Sequence, residues 1–205
     1  PSFPHVGGLE YAGDVVEVGS AVTEVKPGDR VFGTSAHTFA EYAVVRPYHE
    51  PSNRTSHQRA PLKMPPGLTY EEAAAIPISF CMAWHMLHCK GNIRTGEDVL
   101  IMGAASGTGS CGIQLAKAAG ARVITTVGTQ EKFEKAKNLG ADEVINYRET
   151  TRFSEQVKKL TRGQGVDMVF EHVGAPVWEE CFKSLKRDGR LIICGVSAGH
   201  WAKIH

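Results

Sequence analysis

The sequence predicts an α/β protein in which a doubly wound parallel sheet is preceded by part of a β domain. From residue 99 onward, strand-like apolar runs alternate with segments of helical spacing. The first of these runs is followed by a turn of small residues that opens a helix. Residues 1–50 instead hold short strand candidates separated by Gly, Pro and Asp. With 42% hydrophobic residues, the 205-residue chain can bury the core of one large or two small domains.

The first apolar run and the turn behind it predict a site for a dinucleotide. Residues 99–103 (VLIMG) are typical of a buried parallel strand, and helical spacing then continues to Gly120, which suits the left-handed end of a helix. The N-terminus of such a helix carries free N–H groups and a partial positive charge, so a pyrophosphate can approach it where side chains are small. The alternative is a tight turn without a ligand. The turn residues predicted to bind the cofactor are Ala105, Ser106, Gly107, Thr108 and Gly109.

The pattern of strand and helix recurs after Gly120. Five strands that alternate with four helices predict a parallel sheet of the Rossmann type with right-handed crossovers. After the first strand and the first helix, the predicted elements are strands 122–127, 143–147, 166–173 and 190–196 and helices 131–139, 153–160 and 177–185.

The N-terminal part has the pattern of a β module. Residues 15–19, 30–33 and 40–45 are short strand candidates. The sequence Lys26-Pro27-Gly28-Asp29 predicts a turn, because Pro fixes the first bend and Gly accepts a positive φ. Residues 49–57 are polar and aperiodic, which predicts a surface loop.

A helical segment is predicted between the β module and the parallel sheet. Thr69 and Glu72 form a capping-box pattern that opens a helix. Pro77 is expected to break or kink this helix, and a second helix is predicted over residues 80–88. The predicted domains are residues 1–68, a β domain with a linker, and residues 69–205, a dinucleotide-binding domain.

Composition and charge exclude several kinds of partner and site. A net charge of +1 gives no basis for binding nucleic acid or a membrane surface, and no apolar run approaches the roughly 20 residues of a membrane span. Because no signal peptide opens the chain and its five cysteines form no C-x-x-C pair, we expect a cytoplasmic protein with reduced thiols. None of the nine histidines stands at ligand spacing from a Cys or Glu, so no metal site is predicted.

Six motifs of the chain occur together in one enzyme superfamily: Gly8–Gly19, Lys26–Val31, Glu71–Pro77, Gly103–Gly109, Asn138–Tyr147 and Gly189–Gly195. Together they resemble the medium-chain dehydrogenase/reductase superfamily, and they are most similar to its quinone oxidoreductase and enoyl reductase branches. The resemblance implies that residues 1–68 are part of a GroES-like domain carrying substrate and catalytic groups. It implies that residues 69–205 are a Rossmann domain without its C-terminal part. It also implies a small-molecule substrate and a homo-oligomer in the full-length form.

The chain departs from the zinc-binding members of that superfamily. By the resemblance, Leu9 stands where zinc alcohol dehydrogenases carry His, and Ile78 matches the position where they carry Cys. Leucine offers no lone pair to a metal, and the cysteines of the structural zinc lobe are absent, so the resemblance implies a zinc-independent member. Met82 stands where many relatives have Thr, so this side chain lacks a hydroxyl contact to the nicotinamide ribose or ring.

The end of the second strand of the parallel sheet favours NADPH over NADH. An NAD enzyme is expected to carry an acid there, which binds the ribose hydroxyls and repels a 2′-phosphate, but Gly128 and Thr129 occupy this place. The resemblance implies that Lys132 and Tyr147 hold the 2′-phosphate, with Arg148 a weaker neighbour. The alternative is a solvated lysine and a packing tyrosine.

Further cofactor contacts are expected at the carboxyl ends of the fourth and fifth strands, where ligands bind in such sheets. The resemblance implies that the loop after the fifth strand lies near the nicotinamide. The residues concerned are Val173 after the fourth strand and Gly195, Val196 and Ser197 after the fifth.

The predicted function is that of an NADPH-dependent oxidoreductase, which reduces quinones or activated C=C bonds by hydride transfer without zinc. One alternative is a non-catalytic nucleotide-binding scaffold or sensor on the same fold. Another is a zinc-type alcohol dehydrogenase with unusual ligands. No catalytic residue, proton donor or individual substrate is predicted.

Overall fold

The computed structural model describes residues 3–45, 60–150 and 152–201. The chain divides into two compact units, Pro1–Ile78 and Ser79–His205. The domain division predicted from the sequence remains a prediction of how the whole protein is organised. No helix in the described part of the chain is long and apolar enough to span a membrane.

The N-terminal unit contains a three-stranded antiparallel sheet in the order β1-β2-β3. The strands are β1 (Glu10–Asp14), β2 (Arg30–Thr34) and β3 (Leu62–Lys63). The predicted turn at residues 26–29 is confirmed, because Asp29 N donates to Lys26 O over 3.0 Å. Gly28 has a φ of +88° in this turn, a conformation that glycine adopts without steric cost.

The strand predicted over residues 15–19 is wrong. The strand of this region is β1, which ends at Asp14, and Val15 is the last residue to bond across to the turn, through Gly28 N (2.8 Å) and Asp29 O (2.9 Å). The tight turn sets the antiparallel register, and in that register the paired residues are those upstream of Val15.

Residues 40–45 form no strand, so this second prediction is also wrong. Their sequence is apolar enough for a strand, but no described strand lies beside them, and Val44 is 84% exposed. The loop predicted over residues 49–57 lies entirely outside the described residues.

The predicted capping box is confirmed at the start of α1 (Tyr70–Ala74). Thr69 Oγ1 accepts from Glu72 N over 3.2 Å, and Glu72 Oε2 accepts from Thr69 N over 2.9 Å. Pro77 lies within a π-helical segment. Because proline has no N–H and its ring crowds the preceding turn, the helix widens there instead of stopping. The segments that follow α1 are the π-helical Ile76–Phe80, α2 (Cys81–Trp84) and the π-helical His85–Lys90.

The C-terminal unit contains a parallel sheet of five strands. They are β4 (Asp98–Ile101), β5 (Arg122–Val127), β6 (Glu143–Asn146), β7 (Val166–Glu171) and β8 (Leu185–Ile193). Their order in the sheet is β6-β5-β4-β7-β8. The chain runs outward from β4 to β6 and then returns to β7 and β8, so the strand order reverses between β4 and β7.

Helices cover both faces of this sheet, as predicted for a doubly wound fold. The helices are α3 (Gly107–Ala118), α4 (Gln130–Asn138), α5 (Phe153–Leu160) and α6 (Ala175–Ser184). Val99 and Ile101 pack in a core on the face covered by α3 and α4. Leu100 and Met102 pack in a second core on the face covered by α5 and α6.

The last strand differs from its prediction. β8 begins at Leu185 instead of residue 190 and ends at Ile193, so residues 194–196 belong to the following loop. The added residues are 185–189, and three of them, Lys186 to Asp188, are charged and gave no strand signal. Their register is irregular, with a shift opposite Val166 to Met168. Lys186 forms an ion pair with Asp167 at the amino end of the sheet.

Candidate functional site

The candidate site lies at the carboxyl ends of β4 and β7, where the strand order reverses. In open α/β sheets this is the crevice in which ligands bind. The small-residue turn predicted from the sequence leads from β4 into α3, and the loop after β7 lies beside it. The order of the strands thus brings two of the predicted cofactor segments to one place.

Ser106 closes the turn as the N-cap residue of α3. Its Oγ accepts from Gly109 N over 2.9 Å and donates to Gly103 O over 2.9 Å. The turn is also fixed to β5, since Gly103 N donates to Thr126 Oγ1 and Ala104 N to Thr126 O, each over 3.0 Å. The shape of the turn is therefore fixed by hydrogen bonds within the protein.

Three backbone N–H groups at this turn are left for an anion. Ala105 N, Gly107 N and Thr108 N make no hydrogen bond to the described residues. They belong to the turn and the first residues of α3, where the helix dipole adds a partial positive charge. This donor set fits a diphosphate, which accepts several N–H bonds and carries negative charge.

The two glycines of the turn have different neighbours. A Cβ on Gly109 would lie 2.2 Å from Gly103 O, so the strand and the helix approach too closely for a side chain. A Cβ on Gly107 would lie 2.9 Å from Ser79 Oγ, the end of a flexible side chain. Ser79 is a hydroxyl at the turn that the sequence analysis did not identify, because it is 28 residues from Gly107 in an apolar helical segment.

The residues predicted to bind the 2′-phosphate lie near the carboxyl end of β5. A Cβ on Gly128 would lie 2.4 Å from Tyr147 Oη, so the phenol reaches over the glycine at the place where an acid was expected. Lys132 is exposed in the first turn of α4, and no described carboxylate lies within 4.0 Å of its Nζ. Thr129 Oγ1 is buried without a hydrogen-bond partner in the described residues. An ammonium, a phenol and an unpaired hydroxyl suit a phosphate.

The loops after β7 and β8 are joined by hydrogen bonds. Ala198 N donates to Val173 O over 2.7 Å, and Ser197 Oγ donates to His172 O over 3.1 Å. Gly174 has a φ of +106°, and a Cβ there would lie 2.4 Å from Gly199 O. The structure therefore brings Val173 together with the predicted segment Gly195 to Ser197.

A buried carboxylate that the sequence analysis missed holds the loop after β7. Glu171 is fully buried, and its Oε1 accepts from Gly174 N over 2.8 Å and from Val173 N. Its Oε2 accepts from Trp178 Nε1 over 2.8 Å. An acid at the end of an apolar run (VDMVFEHV) was the available signal, since a buried carboxylate requires hydrogen-bond partners.

Two cysteines near this carboxylate are not activated as nucleophiles. Burial, with the charge of Glu171 adding to it, raises the pKa of Cys194 to about 11. Burial, with the charges of Glu171 and Glu180 adding to it, raises the pKa of Cys181 well above its usual range. Both side chains are therefore thiols near neutral pH, whereas nucleophilic cysteines act as thiolates.

Side chains that could bind a metal are not clustered in the described part of the chain. Within residues 3–45, 60–150 and 152–201, no three His, Cys, Asp or Glu side chains are grouped as a metal ion would require. Glu10, next to Leu9, uses Oε1 to accept a hydrogen bond from Ile78 N over 2.7 Å. The prediction that the protein needs no metal stays a prediction.

Comparison with known proteins identifies the family. A model of the alcohol dehydrogenase GroES-like domain matches residues 1–86, and one of zinc-binding dehydrogenases matches residues 107–203. Quinone oxidoreductase 1 of Escherichia coli is 37% identical over 199 residues. The chain belongs to the medium-chain dehydrogenase/reductase superfamily, in its quinone oxidoreductase-like branch. The family and the GroES-like and Rossmann folds predicted from the sequence are confirmed.

Solved structures of this superfamily agree with the fold over almost the whole chain. The mycobacterial protein Rv1454c, in complex with NADPH, superposes with a TM-score of 0.83 at 32% identity, over 100% of this chain and 61% of that one. The structure of an NAD-dependent alcohol dehydrogenase has a TM-score of 0.83 at 36% identity, and the match covers 97% of this chain and 63% of that one. The E. coli match covers 97% of this chain and 58% of the relative, so the chain spans little more than half of that dehydrogenase/reductase.

Proposed function

We propose that this dehydrogenase/reductase is an NADPH-dependent, zinc-independent oxidoreductase that reduces quinones or activated C=C bonds of a small molecule. The observation that carries the proposal is the hydrogen-bonded turn at the β4–β7 crevice, whose free N–H groups fit a diphosphate. The absence of an acid at Gly128 and the phenol of Tyr147 above it support the choice of NADPH. The NADPH in the mycobacterial relative and the name of the E. coli relative support it further.

In this proposal the chain binds and orients the cofactor. The N–H groups of Ala105, Gly107 and Thr108 hold the diphosphate, while Lys132 and Tyr147 hold the 2′-phosphate. Val173 and the segment Gly195–Ser197 line the nicotinamide side. When bound, NADPH supplies the hydride, and the protein supplies position and electrostatic environment. Donors for the negative charge that develops on the substrate oxygen are backbone N–H groups or a hydroxyl.

The test of the proposed function uses the full-length protein. We expect NADPH to be consumed with a simple quinone or an enone, as followed by the loss of absorbance of the reduced nicotinamide. Binding of NADPH without turnover of either class of acceptor would favour the non-catalytic scaffold or sensor. Absence of NADPH binding would contradict the proposal altogether. A homo-oligomeric state and a cytoplasmic location of the full-length protein remain predictions.

Lys132→Ala is expected to weaken NADPH binding by about tenfold and to leave NADH binding nearly unchanged. A hydrogen bond to a charged group contributes about 1.5–3 kcal/mol to binding. Because Lys132 is exposed and solvent weakens its interactions, we expect a value near the lower limit of that range, which corresponds to about tenfold in affinity. Titration of both cofactors measures it, and the difference should shrink as salt rises, because an exposed charge is screened.

Lys135→Ala is the matched control, since Lys135 lies in the same helix but is paired with Glu131 at 2.9 Å. We expect this variant to bind NADPH like the wild type. An equal loss of NADPH and NADH in Lys132→Ala, or an equal loss of NADPH in the two variants, would contradict the 2′-phosphate assignment.

Removal of metal is expected to change neither folding nor activity. Dialysis of the full-length protein against a strong chelator should leave the melting temperature and the rate of NADPH oxidation at their starting values, since the proposal uses no metal. Elemental analysis before dialysis completes the experiment. Stoichiometric zinc, lost together with stability or activity, would favour the zinc-type dehydrogenase instead.

A further inference from the structure

An imidazole that the proposed function does not use connects β7 to the turn of residues 103–109 between β4 and α3, which we call the phosphate turn. His172 follows β7, and its Nε2 lies 2.9 Å from Met102 O and 3.1 Å from Ser106 Oγ. Both atoms belong to the segment between β4 and α3. The same nitrogen therefore contacts the end of the strand and the N-cap residue of the helix.

The partners of His172 determine which ring nitrogen carries the proton. A carbonyl oxygen only accepts, so Met102 O requires a hydrogen on Nε2. Ser106 Oγ gives its own hydrogen to Gly103 O and accepts from Gly109 N, which leaves one lone pair for His172. Nε2–H is thus shared between two acceptors, and it is present in both the neutral and the charged imidazole.

The ring has little room to leave these partners. A Cβ on Gly103 would lie 3.2 Å from Cε1 of the ring, and Gly103 itself has a φ of +63°. The ring of Phe170 meets the imidazole edge to face, with 6.3 Å between centroids. At the base of the side chain, a Cβ on Gly195 would lie 3.5 Å from Cβ of His172.

We propose that His172 is a positioning residue for the phosphate turn. By donating to Ser106 Oγ, it holds the hydroxyl that caps Gly109 N. The turn then keeps the shape in which the N–H groups of Gly107 and Thr108 remain free for a ligand. The identity of that ligand rests on the proposed function, but the hydrogen-bonded connection does not.

Substitutions at His172 separate the donor from the bulk of the ring. His172→Gln keeps an N–H donor near the position of Nε2, whereas His172→Leu keeps volume without a donor. We expect the dissociation constant for NADPH to rise about tenfold in the leucine variant and by less than about threefold in the glutamine variant. His85→Leu, at an exposed histidine of the π-helical segment, is the control and should bind NADPH like the wild type.

A double substitution tests whether His172 acts through Ser106. Ser106→Ala alone is expected to weaken NADPH binding. In that background, adding His172→Leu should raise the dissociation constant for NADPH by less than about threefold. Full additivity of the two effects would overturn the proposal. So would equal NADPH binding by the leucine and glutamine variants, even if both lowered the melting temperature, because that pattern indicates a purely structural role.

Hydrogen exchange keeps the test independent of the cofactor. In the full-length protein without ligand, the Gly109 amide should exchange about tenfold faster in His172→Leu than in His172→Gln. If the wild type bound no nicotinamide dinucleotide, the proposed function would fail while this measurement still decided the role of His172. Equal exchange in the two variants would overturn it.

Discussion

Gly109→Val is expected to lower the free energy of unfolding by about 3 kcal/mol or more and to abolish NADPH binding. The added Cβ would lie 2.2 Å from Gly103 O and 2.9 Å from Ser106 Oγ, and the carbonyl is backbone that cannot move aside alone. Overpacking of this kind costs about 1–3 kcal/mol in side-chain cores and more against backbone. Urea unfolding and cofactor titration measure the two effects.

Gly13→Val in β1 is the matched control, because no atom lies within 4 Å of the added Cβ. We expect its free energy of unfolding to lie within about 1 kcal/mol of the wild-type value, as is usual for substitutions that meet no neighbouring atoms. A Gly109→Val protein that folded with wild-type stability and bound NADPH would show that strand and helix do not need this close approach.

Glu171→Gln is expected to lower the free energy of unfolding by about 3 kcal/mol. The carboxylate accepts from Gly174 N, Val173 N and Trp178 Nε1, and the amide group of glutamine can accept through its oxygen only. The NH₂ group of the glutamine would face the indole N–H of Trp178. Two buried donors would then point at each other, and no hydrogen bond could form between them. Loss of a hydrogen bond to a charged group, and burial of a donor without a partner, each destabilise a protein by about 1–3 kcal/mol.

Trp178→Phe provides the background that tests this explanation. Once the indole N–H is gone, Glu171→Gln should cost only about 1 kcal/mol, because the opposed donor no longer exists. Urea unfolding of the four proteins gives the coupling energy. An equal cost of Glu171→Gln in both backgrounds would mean that the Trp178 contact does not stabilise the loop.

The parallel sheet could be predicted because each of its elements carries a local signal. The strand 122–127 and the helix 153–160 have the predicted bounds, and Gly120 ends α3 with a φ of +80°. Buried strands are continuous apolar runs, and the helices between them have apolar residues at helical spacing. Where this signal fails, as in the charged first half of β8, the prediction fails too.

The N-terminal sheet and parts of the site depend on contacts between distant residues. Which half of residues 10–19 forms a strand is decided by its register with β2, and residues 40–45 lack a described neighbour strand. The turn between β4 and α3 could be predicted from its small residues, which follow an apolar run. The role of Glu171 was not, and neither was the contact of His172 with Ser106, 66 residues away, since both follow from the strand order.

A residue-resolved titration tests most directly whether this crevice binds NADPH. Amide chemical shifts of the full-length protein would be followed by NMR as NADPH or NADH is added. We expect both cofactors to shift Ala105, Gly107 and Thr108, and only NADPH to shift Lys132 and Tyr147. Absence of shifts at the turn, or the same shifts at Lys132 and Tyr147 with both cofactors, would contradict the account.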